Sequence, residues 1–249
     1  MMVKGLSIKF EDYEKTLPTL LKMIKFDVEL KKHENIVLKP NLISGIREEC
    51  TKVEFIEPIL KYCMENKNPG TEIFIAEGCD GRDTREVFEE LGYKDLSEKY
   101  GVGLIDLNKA EVEEIVNNDF LRFDEIMYPK ILLNSFVISL PSLVVNSEGE
   151  ISASLHNMLG AFPEKYYRGF FGFGKDKIKK FPLKYQIHDV IKCKMPEFAI
   201  LDASEKGVIL AGQAFEMDKQ SARLMGLDWR SVEHLDLLDE EDPENEVED

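Results

Sequence analysis

A single α/β domain with a mainly parallel sheet and helices on both faces is the fold that the sequence predicts, on three observations. Short apolar runs recur along the chain: NIVL from 35, EIFIA from 72, GVGLIDL from 101, SFVISL from 135, EFAILDA from 197 and GVILAG from 207. These runs do not alternate with polar residues, which is the pattern of strands buried on both faces. Amphipathic helical stretches stand between several of them, as in αβ units. With 43% hydrophobic residues in 249, the chain has enough apolar surface for a sizeable core.

Residues 11–33 read as one helix, because Leu17, Leu20, Leu21, Ile24 and Val28 recur at spacings of three and four. A strand follows at Ile36, Val37 and Leu38, and Pro40 must end it, since proline has no N–H for a central ladder. That stop places Lys39 and Asn41 at the strand's carboxyl end. Thr51 opens a helical run through Phe55, Ile59 and Cys63, which NPG closes. The next strand, TEIFIAEG, delivers Glu77 to the turn EGCDGRD, and Thr84 to Leu91 is helical. Residues 109–130 read as a connection, and the strand at 134–141 ends at Pro141. Ligands of open parallel sheets bind outside the carboxyl ends of the strands, so these ends are where a site is expected.

Charge and cysteine content narrow the function classes. The net charge is −16, yet the segment 239–249 alone holds eight acids and no base. Such a tail cannot bury apolar surface and is expected to be disordered, leaving residues 1–238 as the domain. Residues 165–194 are the opposite, with nine Lys/Arg against two Asp. Cys50, Cys63, Cys79 and Cys193 form no CxxC pair, so neither a zinc ribbon nor an iron–sulfur cluster is expected, and four free thiols are. No run reaches the roughly 18 apolar residues of a membrane span, and the opening stretch MMVKGLSIKFEDYEK lacks the apolar core of a signal peptide; a soluble cytoplasmic protein is the expectation.

The stretch from Leu140 to Lys180 looks least like scaffold, and residues 142–182 are expected to form a loop or lid over the strand ends. His156 stands among Ser152, Ser154 and Asn157, where it serves either as a general base near neutral pH or as a buried histidine bonded to backbone. Lys39 offers a point charge to an anion and Asn41 a donor and an acceptor; the plainer reading is a turn lysine and a capping asparagine. Glu77, Asp80 and Asp83 suit a hard cation or a solvated turn with Asp83 as a cap. The loop Gly169 to Lys175 carries glycines for close approach and Lys175 for an anion, but its spacing is not that of a Walker loop. Its aromatic residues call for a pocket, the core or a second subunit. Aromatic residues interleaved with bases also suit single-stranded nucleic acid, a reading the acidic remainder disfavours. Asp202 ends a strand, and Asp218 reads as a helix cap or as a site carboxylate.

The order of several motifs resembles the domain-of-unknown-function family numbered 362. These are Lys39-Pro40-Asn41-Leu42, Glu77-Gly78, Leu140-Pro141, Leu155-His156-Asn157-Met158-Leu159-Gly160, Leu201-Asp202-Ala203 and Met217-Asp218, spread over about residues 34–235. The resemblance implies a cytosolic prokaryotic protein, many relatives being archaeal, and fusions of some relatives to ferredoxin-type domains imply redox or cofactor metabolism. It also implies a distant likeness in fold to the N-terminal domain of nickel-pincer racemases, which assigns no chemistry. This chain departs from the pattern where it has Ser142, Val144 and Asn146 in place of two lysines and a histidine, and His156 in place of a lysine.

The resulting expectation is a protein that binds or transforms a small anionic metabolite or cofactor. Lys39, Asn41, Asn146, Asn157, Lys175 and Asp218 would hold the ligand, and His156, Glu77 and Asp202 would carry the chemistry. No metal or particular cofactor is assigned, and a homo-oligomer stays open. The alternative is a diverged, non-catalytic subunit.

Overall fold

The computed structural model describes residues 4–145, 151–170, 172 and 174–240. Five strands form the parallel centre of the sheet: β2 (Asn35–Pro40), β3 (Glu72–Glu77), β4 (Gly103–Asp106), β7 (Phe136–Leu140) and β10 (Phe198–Ala203). Two further strands, β1 (Gly5–Lys9) and β11 (Val208–Gly212), complete the spatial order β1-β11-β10-β7-β2-β3-β4. A hairpin of β5 (Val112–Ile115) and β6 (Ile126–Pro129) and a short pair of β8 (Val144–Val145) and β9 (Ile151–Ser152) stand outside the main sheet.

The main sheet divides the core, as buried two-faced strands require. On one face Ile36, Leu38, Ile75 and Ile138 pack beneath helices α1 (Tyr13–Met23), α2 (Phe26–Leu30) and α3 (Val53–Asn66), with α4 (Thr84–Glu90) and α5 (Tyr93–Tyr100) toward the β4 edge. On the other, Val37, Val137, Ala199 and Leu201 meet a second cluster. That cluster is supplied by α6 (Lys130–Leu133), α7 (Glu164–Tyr167), α8 (Leu183–Cys193), α9 (Ala214–Leu224), α10 (Glu233–Glu240) and a 3-10 turn at His156–Ala161. Lys39 is two residues beyond Val37 and therefore faces this second side, toward the 3-10 turn.

Four expectations are corrected here. The helix expected over 11–33 is two helices, broken where Lys25 takes a left-handed conformation at φ 55°. Gly5–Lys9, left unassigned by periodicity, pairs antiparallel with β11, and β11 itself runs antiparallel to β10. The connection from β10 is a three-residue turn closed by Gly207, too short for the crossover that a parallel strand requires. The connection expected at 109–130 contains the β5–β6 hairpin. The sequence reads His188-Asp189 as the start and cap of a helix; Asp189 instead lies inside α8, and its carboxylate accepts from the backbone N–H groups of Leu121, Arg122 and Phe123.

Among the described residues no helix is long and apolar enough to cross a membrane. All four cysteines are free thiols, three of them buried.

Candidate functional site

The carboxyl ends of β2, β3 and β7 meet beneath the 3-10 turn His156–Ala161, and the contacts there are polar. Lys39 is fully buried and its Nζ donates to Glu77 Oε2 at 2.9 Å, to the Asn157 carbonyl at 2.7 Å and to Asn157 Oδ1 at 3.0 Å. An ammonium has three N–H groups, so all are committed. Asn157 answers through Nδ2, which donates to the Lys39 carbonyl at 2.9 Å and to Ser139 Oγ at 3.0 Å. Glu77, also fully buried, accepts from the Gly78 N–H on Oε1 at 2.7 Å and from the Leu42 N–H on Oε2 at 3.2 Å.

A second lysine arrives from the basic segment. Lys175, 1% exposed, donates through Nζ to the carbonyls of Gly78 at 2.7 Å and Gly160 at 3.1 Å. The sequence places this lysine in a loop or lid over the strand ends as a ligand for an anion; the structure buries it against those ends, on backbone carbonyls. Two buried lysines thus lie near one buried carboxylate, which Lys39 bonds directly and Lys175 feels through its charge. Burial holds Lys39 below the usual lysine range, opposed by Glu77 and Cys79. Burial also pushes Lys175 down to about 8, with Glu77 opposing and Lys39 adding to the fall.

Gly160 is what lets the turn settle on this pair. A Cβ there would lie 1.9 Å from Glu77 Oε1 and 2.7 Å from Lys39 Nζ, far inside contact distance. His156, one turn earlier, is partly buried, with Nδ1 3.0 Å from Ser152 Oγ. Burial, and then the charge of Lys39, lower its pKa to about 4, so it is neutral at physiological pH. His234, 3% exposed, is lowered to about 3 by burial and by His156, and its Nε2 has no hydrogen-bond partner among the described residues.

The remaining predicted residues are spread around this centre. Asp218 lies inside α9, not ahead of it, and its two oxygens accept from the N–H groups of Ser154 at 2.8 Å and Leu155 at 2.9 Å, which steadies the approach to the 3-10 turn. Its burial raises its pKa to about 7 against those two bonds. Asp202 faces the opposite side of the sheet and accepts from Tyr13 Oη at 2.7 Å. Asn41 accepts from the Ile43 N–H at 3.3 Å and its own N–H donates to Thr51 Oγ1 at 2.9 Å. Asn146 lies outside the described residues.

The three acids of the EGCDGRD turn separate rather than converge. Glu77 joins Lys39, Asp80 meets Lys175 and Lys179, and Asp83 caps α4 while pairing with Lys109 at 2.8 Å. Among the described residues no group of three or more His, Cys, Asp or Glu side chains is placed to hold a metal ion. Cys79, fully buried, is pushed up to about 12 by burial first and Glu77 second, so a thiolate is disfavoured.

An open cleft of about 620 Å³ lies beside this network, at the carboxyl ends of β3 and β4. Arg82, Lys109, Lys165 and Arg168 line it together with Asp83, Asp106 and Glu164. Asn108 fixes its wall, donating to the Cys79 carbonyl at 2.8 Å and accepting from the Glu164 N–H at 2.9 Å. Sequence reading missed Asn108 and Lys109, although both follow a strand directly and the same strand-end rule points to them. It missed Arg168 as a cleft residue because no periodicity places the 164–168 turn there.

No curated protein and no solved structure is significantly similar to the chain. A family model described as a domain of unknown function (DUF362) matches residues 36–214, which span β2 to the start of α9 and hold every residue of the buried lysine network. The chain belongs to this family.

Proposed function

We propose that the chain binds or transforms a small anionic metabolite or cofactor in the cleft at the carboxyl ends of β3 and β4. The observation that carries this reading is the concentration of Arg82, Lys109, Lys165 and Arg168 around one open cleft of about 620 Å³ on a chain of net charge −16. Its volume is in the range of metabolite sites, and its position follows the strand-end rule of parallel sheets. Lys109 is balanced by Asp83 and Asp106, and Arg168 gives Nε and Nη2 to Glu164. Lys165 has no carboxylate partner among the described residues, so it and the outer N–H groups of Arg168 are available to an anion. In this reading Lys39, Glu77, Asn157 and Lys175 hold the strand ends in register beside the cleft, and neutral His156 bonds Ser152 within the same support.

A non-catalytic role is the second reading. The observation favouring it is that Lys39, Glu77 and Asn157 satisfy one another completely while fully buried. A thermal-shift panel of inorganic phosphate, nucleotides and small carboxylates tests the first reading. A ligand at 100 times its Kd should add about 2.7 kcal/mol of stability. Lys165→Ala combined with Arg168→Ala should abolish that shift. No shift with any anion would refute anion binding, and binding without conversion of the ligand would favour the non-catalytic reading.

A further inference from the structure

The Asp80 carboxylate is held as a bound anion would be held. Its Oδ1 accepts from the Lys175 backbone N–H at 2.6 Å, and its Oδ2 pairs with Lys179 Nζ at 2.7 Å. Each oxygen therefore has one donor of its own, and the Lys175 ammonium adds its charge from beneath. Gly174 closes the backbone around this group at φ +88°, and a Cβ there would lie 2.1 Å from Asp80 Oδ1 and 2.9 Å from the Gly81 nitrogen. The glycine that the loop carries is thus explained by the anion it encloses. The Asp80 side chain is 18% exposed, and its neighbour Gly81 lines the open cleft.

We propose that the loop Gly174–Lys179 is a carboxylate-binding cradle now filled by Asp80, and that a ligand carboxylate entering from the cleft takes its place. This inference rests on the reading of the cleft as an anion site. A planar two-oxygen group with one donor per oxygen suits a carboxylate; a phosphate would leave its further oxygens facing the Asp80 backbone and the glycine. Asp80 is tethered beside the donors and competes at high effective concentration, so it sets a threshold that weakly bound anions do not pass. Displaced, it frees the N–H of Lys175 and leaves Lys179 with only the longer contact to Asp176 at 3.8 Å.

Removing the competitor bares the cradle. In Asp80→Ala, sodium acetate should raise the melting midpoint above that in sodium chloride of equal ionic strength, while the wild-type midpoint does not respond. Adding Lys179→Met to that variant should remove the response. No acetate effect in Asp80→Ala, or an effect that survives Lys179→Met, overturns the proposal. Phosphate matching acetate overturns the carboxylate assignment. Should Asp80→Ala fail to fold, Asp80→Asn keeps the shape without the charge and should bind acetate at least about tenfold more tightly than wild type by calorimetry; equal affinities overturn the proposal. An absent acetate response, combined with ligand shifts that still depend on Lys165 and Arg168, refutes the cradle and leaves the cleft reading standing.

Discussion

Glu77 bonds one buried lysine, Lys39, and lies within the electrostatic reach of a second, Lys175, and that arrangement makes the cost of deleting each partner unequal. In Glu77→Gln, the Lys39 and Lys175 ammoniums, both fully buried and mutually repelling, lose the carboxylate that offsets them. Removing one member of a buried ion pair costs about 3–5 kcal/mol. The upper bound is the cost of holding an ordinary lysine neutral at pH 7, about 5 kcal/mol at about 1.4 kcal/mol per pH unit. In Lys39→Met, Glu77 keeps the N–H groups of Gly78 and Leu42 and the nearby charge of Lys175, so the loss should fall at the low end, about 3 kcal/mol. The double variant leaves Lys175 on the carbonyls of Gly78 and Gly160, and should cost less than the two singles together by about 1–3 kcal/mol. Urea denaturation followed by circular dichroism at pH 7 reads all three. Additive losses, or Lys39→Met costing as much as Glu77→Gln, would refute this account.

Gly160→Ala should destabilise the protein by at least about 1–3 kcal/mol in the same assay, because its Cβ would press Glu77 Oε1 and Lys39 Nζ apart; a change below about 0.5 kcal/mol would mean the turn shifts freely. The lowered pKa of His156 makes a pH prediction of definite sign. Between about 4 and 6.5 the unfolded chain takes up a proton that the folded chain refuses, so this contribution is full above pH 6.5 and lost as pH falls toward 4. His156→Gln should therefore show a shallower loss of stability than wild type across that window, and parallel curves would contradict it. The ligand-panel and acetate experiments complete the set.

The parallel centre was legible because its strands are continuous apolar runs, and Pro40 and Pro141 mark where two of them stop. From that alone Lys39 and Glu77 fall at strand ends; that the two ends adjoin comes from the structure, where β2 pairs with β3 and Leu38 stands beside Ile75. Asn157 was legible only through the ordered motifs of the family, since nothing periodic distinguishes it. Lys175 was named as an anion ligand, but its partners Gly78 and Gly160 lie 97 and 15 residues away, and local sequence carries no sign of that approach. Asp218 and Asp189 show why short polar side chains mislead: each looks like a cap for its own helix, and each instead accepts from another segment's backbone, 64 and 68 residues away. Phe170, expected to be covered, is 94% exposed, whereas Phe123, Phe162 and Tyr167 make the aromatic cluster.

The mutual bonds of Lys39 and Asn157, residues 118 apart, also bear on how the chain selects one native arrangement. Apolar strands tolerate slippage, since one buried isoleucine or valine serves about as well as the next. A slip of β2 by one residue would turn Lys39 to the other face of the sheet, away from Asn157, and strand an ammonium among Leu38 and its neighbours. The misaligned state is then penalised far more than the native one is favoured. In this protein the buried polar cluster acts as a register check, discriminating against near-native competitors during folding.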